Sequence, residues 1–134
     1  MGDKMITKAR VLILDDEEIV GERLKISLEK AGFAVEAFST SQDAINRLKV
    51  ECFDILVTDL KMSRPDGIEV LRLARQLCPE IKPVVITGFA TRDTAEEAMK
   101  SGAVEFIAKP FKISQLKSLL TTLSKEDENN DKSD

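Results

Sequence analysis

The chain contains no histidine, tryptophan or tyrosine, and only 2 cysteines among its 134 residues. Without histidine there is no Ser-His-Asp or Cys-His nucleophile pair and no zinc site of the usual histidine-containing kind. Cys52 and Cys78 lie far apart without Cys-x-x-Cys spacing, so they read as small buried apolar side chains rather than a metal or redox site. A basic excess is missing too: 20 Lys and Arg face 24 Asp and Glu, a net charge of -4, which argues against nucleic-acid binding by this chain itself. No apolar run approaches the roughly 18 residues that span a bilayer, so no membrane contact is expected. Residues Met1 to Lys8 lack the apolar block of a secretory signal, and the expected location is cytoplasmic. Proline and glycine are scarce, at 4 and 6 residues, while 43% of the chain is hydrophobic and 33% charged. That is the balance of one soluble globular domain, preceded by an extension over 1–9.

What is present is an alternation. Apolar runs at Val11-Leu12-Ile13-Leu14, Ala34 to Phe38, Asp54 to Asp59, Pro83 to Ile86 and Val104 to Ala108 read as strands. Between them, Val20, Leu24, Leu28 and Ala31 recur at helical spacing before Gly32, and Ser39-Thr40-Ser41-Gln42 has the form of a capping box opening a second helix. Ile68, Leu71 and Ala74 mark a third helix, Thr91 to Ser101 a fourth, and Leu116, Leu119, Leu120 and Leu123 a fifth. Five strands alternating with five helices through short connections imply an α/β fold with a parallel sheet, helices on both faces and right-handed crossovers. The domain is expected over 10–123. The acidic stretch over 124–134 has nothing to bury and reads as a disordered tail or the start of a linker.

Four of these strands end on polar groups: Asp15 and Asp16, Asp59, Thr87, and Lys109. In open parallel sheets the C-terminal strand edge is where sites are built. Read alone, Asp15-Asp16-Glu17-Glu18 is a solvated loop whose glutamates favour a helix N-terminus, Lys109 a surface charge and Thr87 a strand-end hydroxyl. Brought to one edge, they form something else. Three carboxylates together repel unless a cation neutralises them, and an all-oxygen set with few carboxylates favours Mg2+ over calcium. The ammonium of Lys109 would pair with Asp59 before a phosphoryl transfer and with phosphoryl oxygen after it, and the Thr87 hydroxyl would meet another oxygen. Asp59 is the expected acceptor, attacking phosphorus in line without a general base.

The segments Leu12 to Glu17, Asp54 to Met62, Val85-Ile86-Thr87-Gly88 and Phe106 to Phe111, in this order and separation, resemble the receiver domain of bacterial two-component response regulators, over about Arg10 to Leu123. The resemblance implies the flavodoxin-like, doubly wound strand order 2-1-3-4-5. It also implies Asp59 as phosphoacceptor, Asp15 and Asp16 as the acidic metal pair, the Lys61 backbone carbonyl as a further metal ligand, Thr87 as the switch hydroxyl, Lys109 as the phosphate-binding lysine and Phe106 as an aromatic switch. The Lys109-Pro110 peptide is expected to be cis. The implied partners are a sensor histidine kinase or phosphotransfer protein, an output domain or target, and a second copy of the chain on phosphorylation. Such a domain is a signalling phosphoacceptor, not an enzyme in the ordinary sense; it would catalyse only its own phosphorylation and dephosphorylation.

The output surface would be helix four, strand five and helix five, with Thr91, Arg92, Lys100, Glu105, Lys112, Gln115 and Lys117 exposed. Two departures from the pattern stand out: Ser63 where proline is frequent, and Gly88 where alanine is. Lys61 and Phe89 would flank the phosphate.

Other readings fit less well. An aspartate-nucleophile phosphohydrolase of the haloacid-dehalogenase type needs Asp-x-Asp after the first strand, where this chain has Asp15-Asp16-Glu17. A flavin-binding flavodoxin wants a Gly/Ser/Thr-rich phosphate loop there, and a non-phosphorylated pseudo-receiver would not need a complete site. The region Ile86 to Phe111 is similar to receivers attached to enhancer-binding transcription activators, so the chain stands either alone or as the receiver of a longer activator.

Overall fold

The computed structural model describes residues 9–60 and 66–132. The elements run β1 (Arg10–Leu14), α1 (Glu18–Lys30), β2 (Ala34–Phe38), α2 (Ser41–Val50), β3 (Ile55–Thr58), α3 (Gly67–Leu77), β4 (Lys82–Thr87), α4 (Arg92–Lys100), β5 (Glu105–Ala108) and α5 (Ile113–Lys132). All four strand pairings are parallel, and the sheet order is β2-β1-β3-β4-β5, as expected.

Strand residues alternate between faces, so each central strand feeds two cores. Val11, Ile13, Ile55, Val57, Val84 and Ile86 pack against Leu24 and Leu28 of α1 and Leu116 and Leu120 of α5. Leu12, Leu14 and Leu56 point the other way, onto Ala44, Ile45 and Leu48 of α2 and Val70 and Ala74 of α3. A third cluster, Leu60, Ile68, Leu71, Val85, Ala98 and Ala103, seats α4, with Phe106 half-buried against it. The strand ends are fixed by pairing: Leu14 is level with Thr58, Thr58 with Val85, and Thr87 with Ala108.

The local stops follow from backbone chemistry. Gly32 and Gly102 take φ values of 103° and 115°, which end α1 and α4. Asp66 with Glu69 and Thr91 with Thr94 form reciprocal capping boxes on α3 and α4. The second helix, by contrast, is capped one residue later than its sequence pattern implied: the Asp43 N–H donates to Thr40 Oγ1, and Ser39 is not the cap.

Two further expectations are corrected. The tail expected over 124–134 is helix as far as Lys132, because Ser124 onward holds no glycine or proline to interrupt α5; Ser124 itself is buried. Lys82 Nζ donates to the Leu123 carbonyl at 3.2 Å, tying β4 to this helix. The cysteines are not two separate small apolar side chains: Cys52, exposed, and Cys78, buried, form a disulfide.

Candidate functional site

Because β1 and β3 end at the same level, their next residues, Asp15 and Asp59, leave the sheet side by side. Backbone bonds hold both ends: the Asp59 N–H donates to Leu14 O at 3.1 Å and the Asp15 N–H to Phe38 O at 3.1 Å. On the other side of β3, the Lys109 N–H donates to Thr87 O at 2.8 Å, and the Lys109-Pro110 peptide is cis as expected. This places the ammonium over the carboxylates. Lys109 Nζ lies 3.0 Å from Asp59 Oδ2 and 3.1 Å from Asp15 Oδ2. All three side chains are largely covered, at 11% exposure for Asp59, 7% for Asp15 and 23% for Lys109. Val57, Ile86 and Phe111 line the same cleft, so the charges meet over an apolar floor where their attraction is stronger than in water.

Burial alone would lower the Lys109 value. The hydrogen bonds it donates to Asp59 and Asp15, together with the negative charge of both, outweigh it and hold the ammonium above the ordinary 10.5. A folded value above the unfolded one stabilises the fold at every pH below the unfolded value, and that stabilisation is lost as pH rises through the folded value. Wild type is therefore expected to lose stability relative to Lys109→Met only above about pH 10.5, which urea titrations across the alkaline range check.

The other expected residues are placed as follows. Asp16 is exposed, and among the described residues no three carboxylate, histidine or cysteine side chains gather closely enough to hold a metal ion. The expected convergence of three carboxylates is thus seen for two, Asp15 and Asp59. These two are all-oxygen donors of the kind Mg2+ takes, since that ion needs only one or two carboxylates beside its waters. Lys61 and Ser63 lie outside the described residues. Thr87 is fully buried, its Oγ1 accepting from the Phe89 N–H at 3.0 Å. Phe89 is 57% exposed, and a Cβ added at Gly88 would meet nothing within 4 Å. Thr91, Arg92, Lys100, Glu105, Lys112 and Gln115 are exposed, whereas Lys117 is half-buried.

Three supports escaped the sequence reading. The Glu17 N–H donates to Asp15 Oδ1 at 2.9 Å and fixes that carboxylate; an acid two residues before the helix N-cap is the pattern that signals it. Thr58 Oγ1 donates to the Asp59 carbonyl at 2.9 Å. The third is Gly67, the first residue of α3. A Cβ there would overlap the Asp59 carbonyl oxygen and come within 2.7 Å of Leu60 Cα, both backbone atoms that cannot step aside. Gly67→Ala is expected to cost about 1 to 3 kcal/mol of stability by overpacking and to displace the Asp59 loop. Urea unfolding checks the first effect and loss of phosphoryl uptake the second.

The model of the response regulator receiver domain family matches residues 11–121. The transcriptional regulatory protein FixJ of Bradyrhizobium diazoefficiens is 32% identical over 124 residues, covering 92% of this chain and 60% of FixJ. The chain spans about half or less of several other transcriptional regulators it matches. Among solved structures, a Burkholderia pseudomallei response regulator with a phosphorylated aspartic acid, calcium ion and citrate is 28% identical, with a TM-score of 0.78 over 91% of this chain and 72% of that one. The beryllofluoride-activated NtrC4 receiver domain dimer is 32% identical, with a TM-score of 0.81 over 87% of this chain and 97% of that one. Sequence, strand order and the carboxylate edge agree: the chain belongs to the response regulator receiver domain family and is a receiver domain of two-component signalling.

Proposed function

We propose that Asp59 is the phosphoryl acceptor of this receiver and that Lys109 is the residue that makes the transfer fast. The observation that carries the reading is the single ammonium bridging Asp59 and Asp15 at 3.0 and 3.1 Å at the C-terminal edge of the sheet. The donor is a phosphohistidine of a sensor histidine kinase or phosphotransfer protein, because this chain has no histidine of its own. A carboxylate oxygen of Asp59 attacks phosphorus, the P–N bond of the donor breaks, and its imidazole leaves. The product is an acyl phosphate. Lys109 moves its hydrogen bonding from carboxylate to phosphoryl oxygens, and the Thr87 hydroxyl, whose proton is not engaged by the Phe89 N–H, donates to another.

Asp15 and Asp59, with exposed Asp16 and, on the family pattern, the Lys61 carbonyl, would hold Mg2+. When bound, the ion supplies positive charge that screens the acceptor from the phosphoryl oxygens. The Burkholderia structure contains both a phosphorylated aspartic acid and a calcium ion, which supports a divalent site of this kind. Water later cleaves the acyl phosphate, so the catalysis is confined to the domain's own phosphorylation and dephosphorylation. Exposed Phe89, two residues after the switch threonine, would flank the phosphate on the family pattern and set how fast that water arrives.

The phosphoryl group replaces one carboxylate charge with roughly -1.5 to -2, so geometry more than net charge carries the signal. Recruitment of Thr87 draws in the loop before α4, and Phe106, already half-buried against the cluster of Leu60, Val85 and Ala98, turns further inward, re-sorting the α4, β5 and α5 surface between two states. That surface controls an output domain or target. The activated NtrC4 dimer supports pairing of two copies on phosphorylation. The transcriptional regulators it matches support a receiver unit over 10–123 within a longer activator. A cytoplasmic setting accords with the finding that no helix among the described residues is long and apolar enough to cross a membrane.

The test is intact-mass measurement after incubation with acetyl phosphate and MgCl2. A gain of one phosphoryl group, reduced by prior chelation of the metal, is the expected result. No adduct under any metal or donor condition overturns the reading.

A further inference from the structure

The Cys52–Cys78 bond lies at the opposite end of the sheet from the carboxylates. Cys52 follows Glu51, the C-cap of α2, and Cys78 is the C-cap of α3, so the bond joins the ends of two neighbouring helices across a separation of 26 residues. The enclosed segment contains all of β3, Asp59 and α3.

Two features decide how this bond behaves. First, the two sulfurs differ in access: Cys52 is exposed, whereas Cys78 is 2% exposed and packed among Leu48, Phe53, Ala74 and Ile81. An attacking thiolate therefore reaches one sulfur and not the other. Second, α2 and α3 are already held by an apolar cluster that includes Leu12, Ile45, Leu56 and Val70, and the Cα atoms of the cysteines are 5.7 Å apart, within the ordinary span for a disulfide. With the bond open, that apolar cluster would still hold the two helices side by side and keep the thiols poised to close again.

We propose that Cys52 and Cys78 are a reversible redox-modification site, opened and closed within the native fold by exchange with low-molecular-weight thiols and disulfides of the glutathione class. In the closing direction the Cys52 thiolate attacks one sulfur of the small disulfide. One small thiolate leaves and a mixed disulfide remains on Cys52. The Cys78 thiolate then attacks Cys52 Sγ and expels the second small thiolate. Two electrons pass from the cysteine pair to the small disulfide, and two small thiols are released. Opening is the reverse, beginning with attack on the exposed Cys52 sulfur while Cys78 leaves as thiolate. The proposal is independent of Asp59 chemistry.

The test equilibrates the native full chain, without denaturant, in buffers of graded reduced-to-oxidised glutathione ratio, followed by acid quench, alkylation and intact mass. The expected result is a smooth and reversible change between a form taking two alkyl groups and a form taking none. Cys78→Ala is expected to carry a glutathione adduct on Cys52 in the native state, and Cys52→Ser to carry none. The bridged form should melt roughly 5 to 10 °C above the reduced form, a difference absent in Cys52→Ser. A bond that opens only after unfolding, thiols that never close under oxidised glutathione, or Cys78→Ala without an adduct would each overturn the proposal.

Discussion

Asp59→Asn is expected to abolish phosphoryl uptake from acetyl phosphate while leaving the domain folded. The amide has nearly the shape of the carboxylate but no anionic oxygen to attack phosphorus, and an acyl phosphate cannot form on it. No neighbour takes over. Asp15, the other carboxylate on Lys109, is held by the Glu17 N–H as well and is only 7% exposed. Folding should survive because Lys109 keeps Asp15 as its partner and the repulsion between two adjacent carboxylates is relieved. Uptake measured by mass or by phosphate-affinity electrophoresis, with circular dichroism as the control for folding, separates loss of the nucleophile from loss of the fold.

Lys109→Ala is expected to slow phosphorylation by about a hundred- to a thousand-fold, the usual effect of removing one pre-positioned donor from developing charge. The argument rests on placement. The ammonium sits within hydrogen-bond reach of both carboxylates over an apolar floor, so it needs no reorganisation when phosphoryl oxygens arrive. In its absence Asp15 and Asp59 face each other without the charge between them, and the phosphoryl group meets a more negative site. Raised magnesium should recover part of the lost rate, because a second cation supplies some of the missing charge, whereas it should recover none in Asp59→Asn. Equal rates for Lys109→Ala and wild type at matched metal would remove Lys109 from the mechanism.

The residues of the site were legible because the strands that carry them are. An apolar run in a parallel sheet states its own end, and Asp15, Asp59, Thr87 and Lys109 each stand at such an end. Adjacency misled where the backbone alternates: Asp15 and Asp16 are neighbours in sequence, yet one is buried and the other exposed. The cap of α2 fell on Thr40 because Ser39 and Thr40 both bear hydroxyls and only the backbone angle chooses between them. Loss of apolar residues after Leu123 suggests a disordered tail, but α5 continues to Lys132 through a stretch that holds no glycine or proline. The disulfide was hidden for a geometric reason. Cys52 and Cys78 share no motif, and only the parallel crossover that sets α2 beside α3 brings their ends together. The close approach of Gly67 to Asp59 is similarly a property of where α3 docks.

The chemistry at Asp59 is tested most directly by trapping the product. An acyl phosphate is reduced by borohydride, which converts the acylated aspartate to homoserine and leaves free carboxylates untouched. After incubation of the wild-type chain with acetyl phosphate and MgCl2, reduction and peptide mass mapping should find homoserine at position 59 and aspartate at positions 15 and 16. Homoserine at another position, or a phosphoryl adduct that survives borohydride unchanged, would contradict the account.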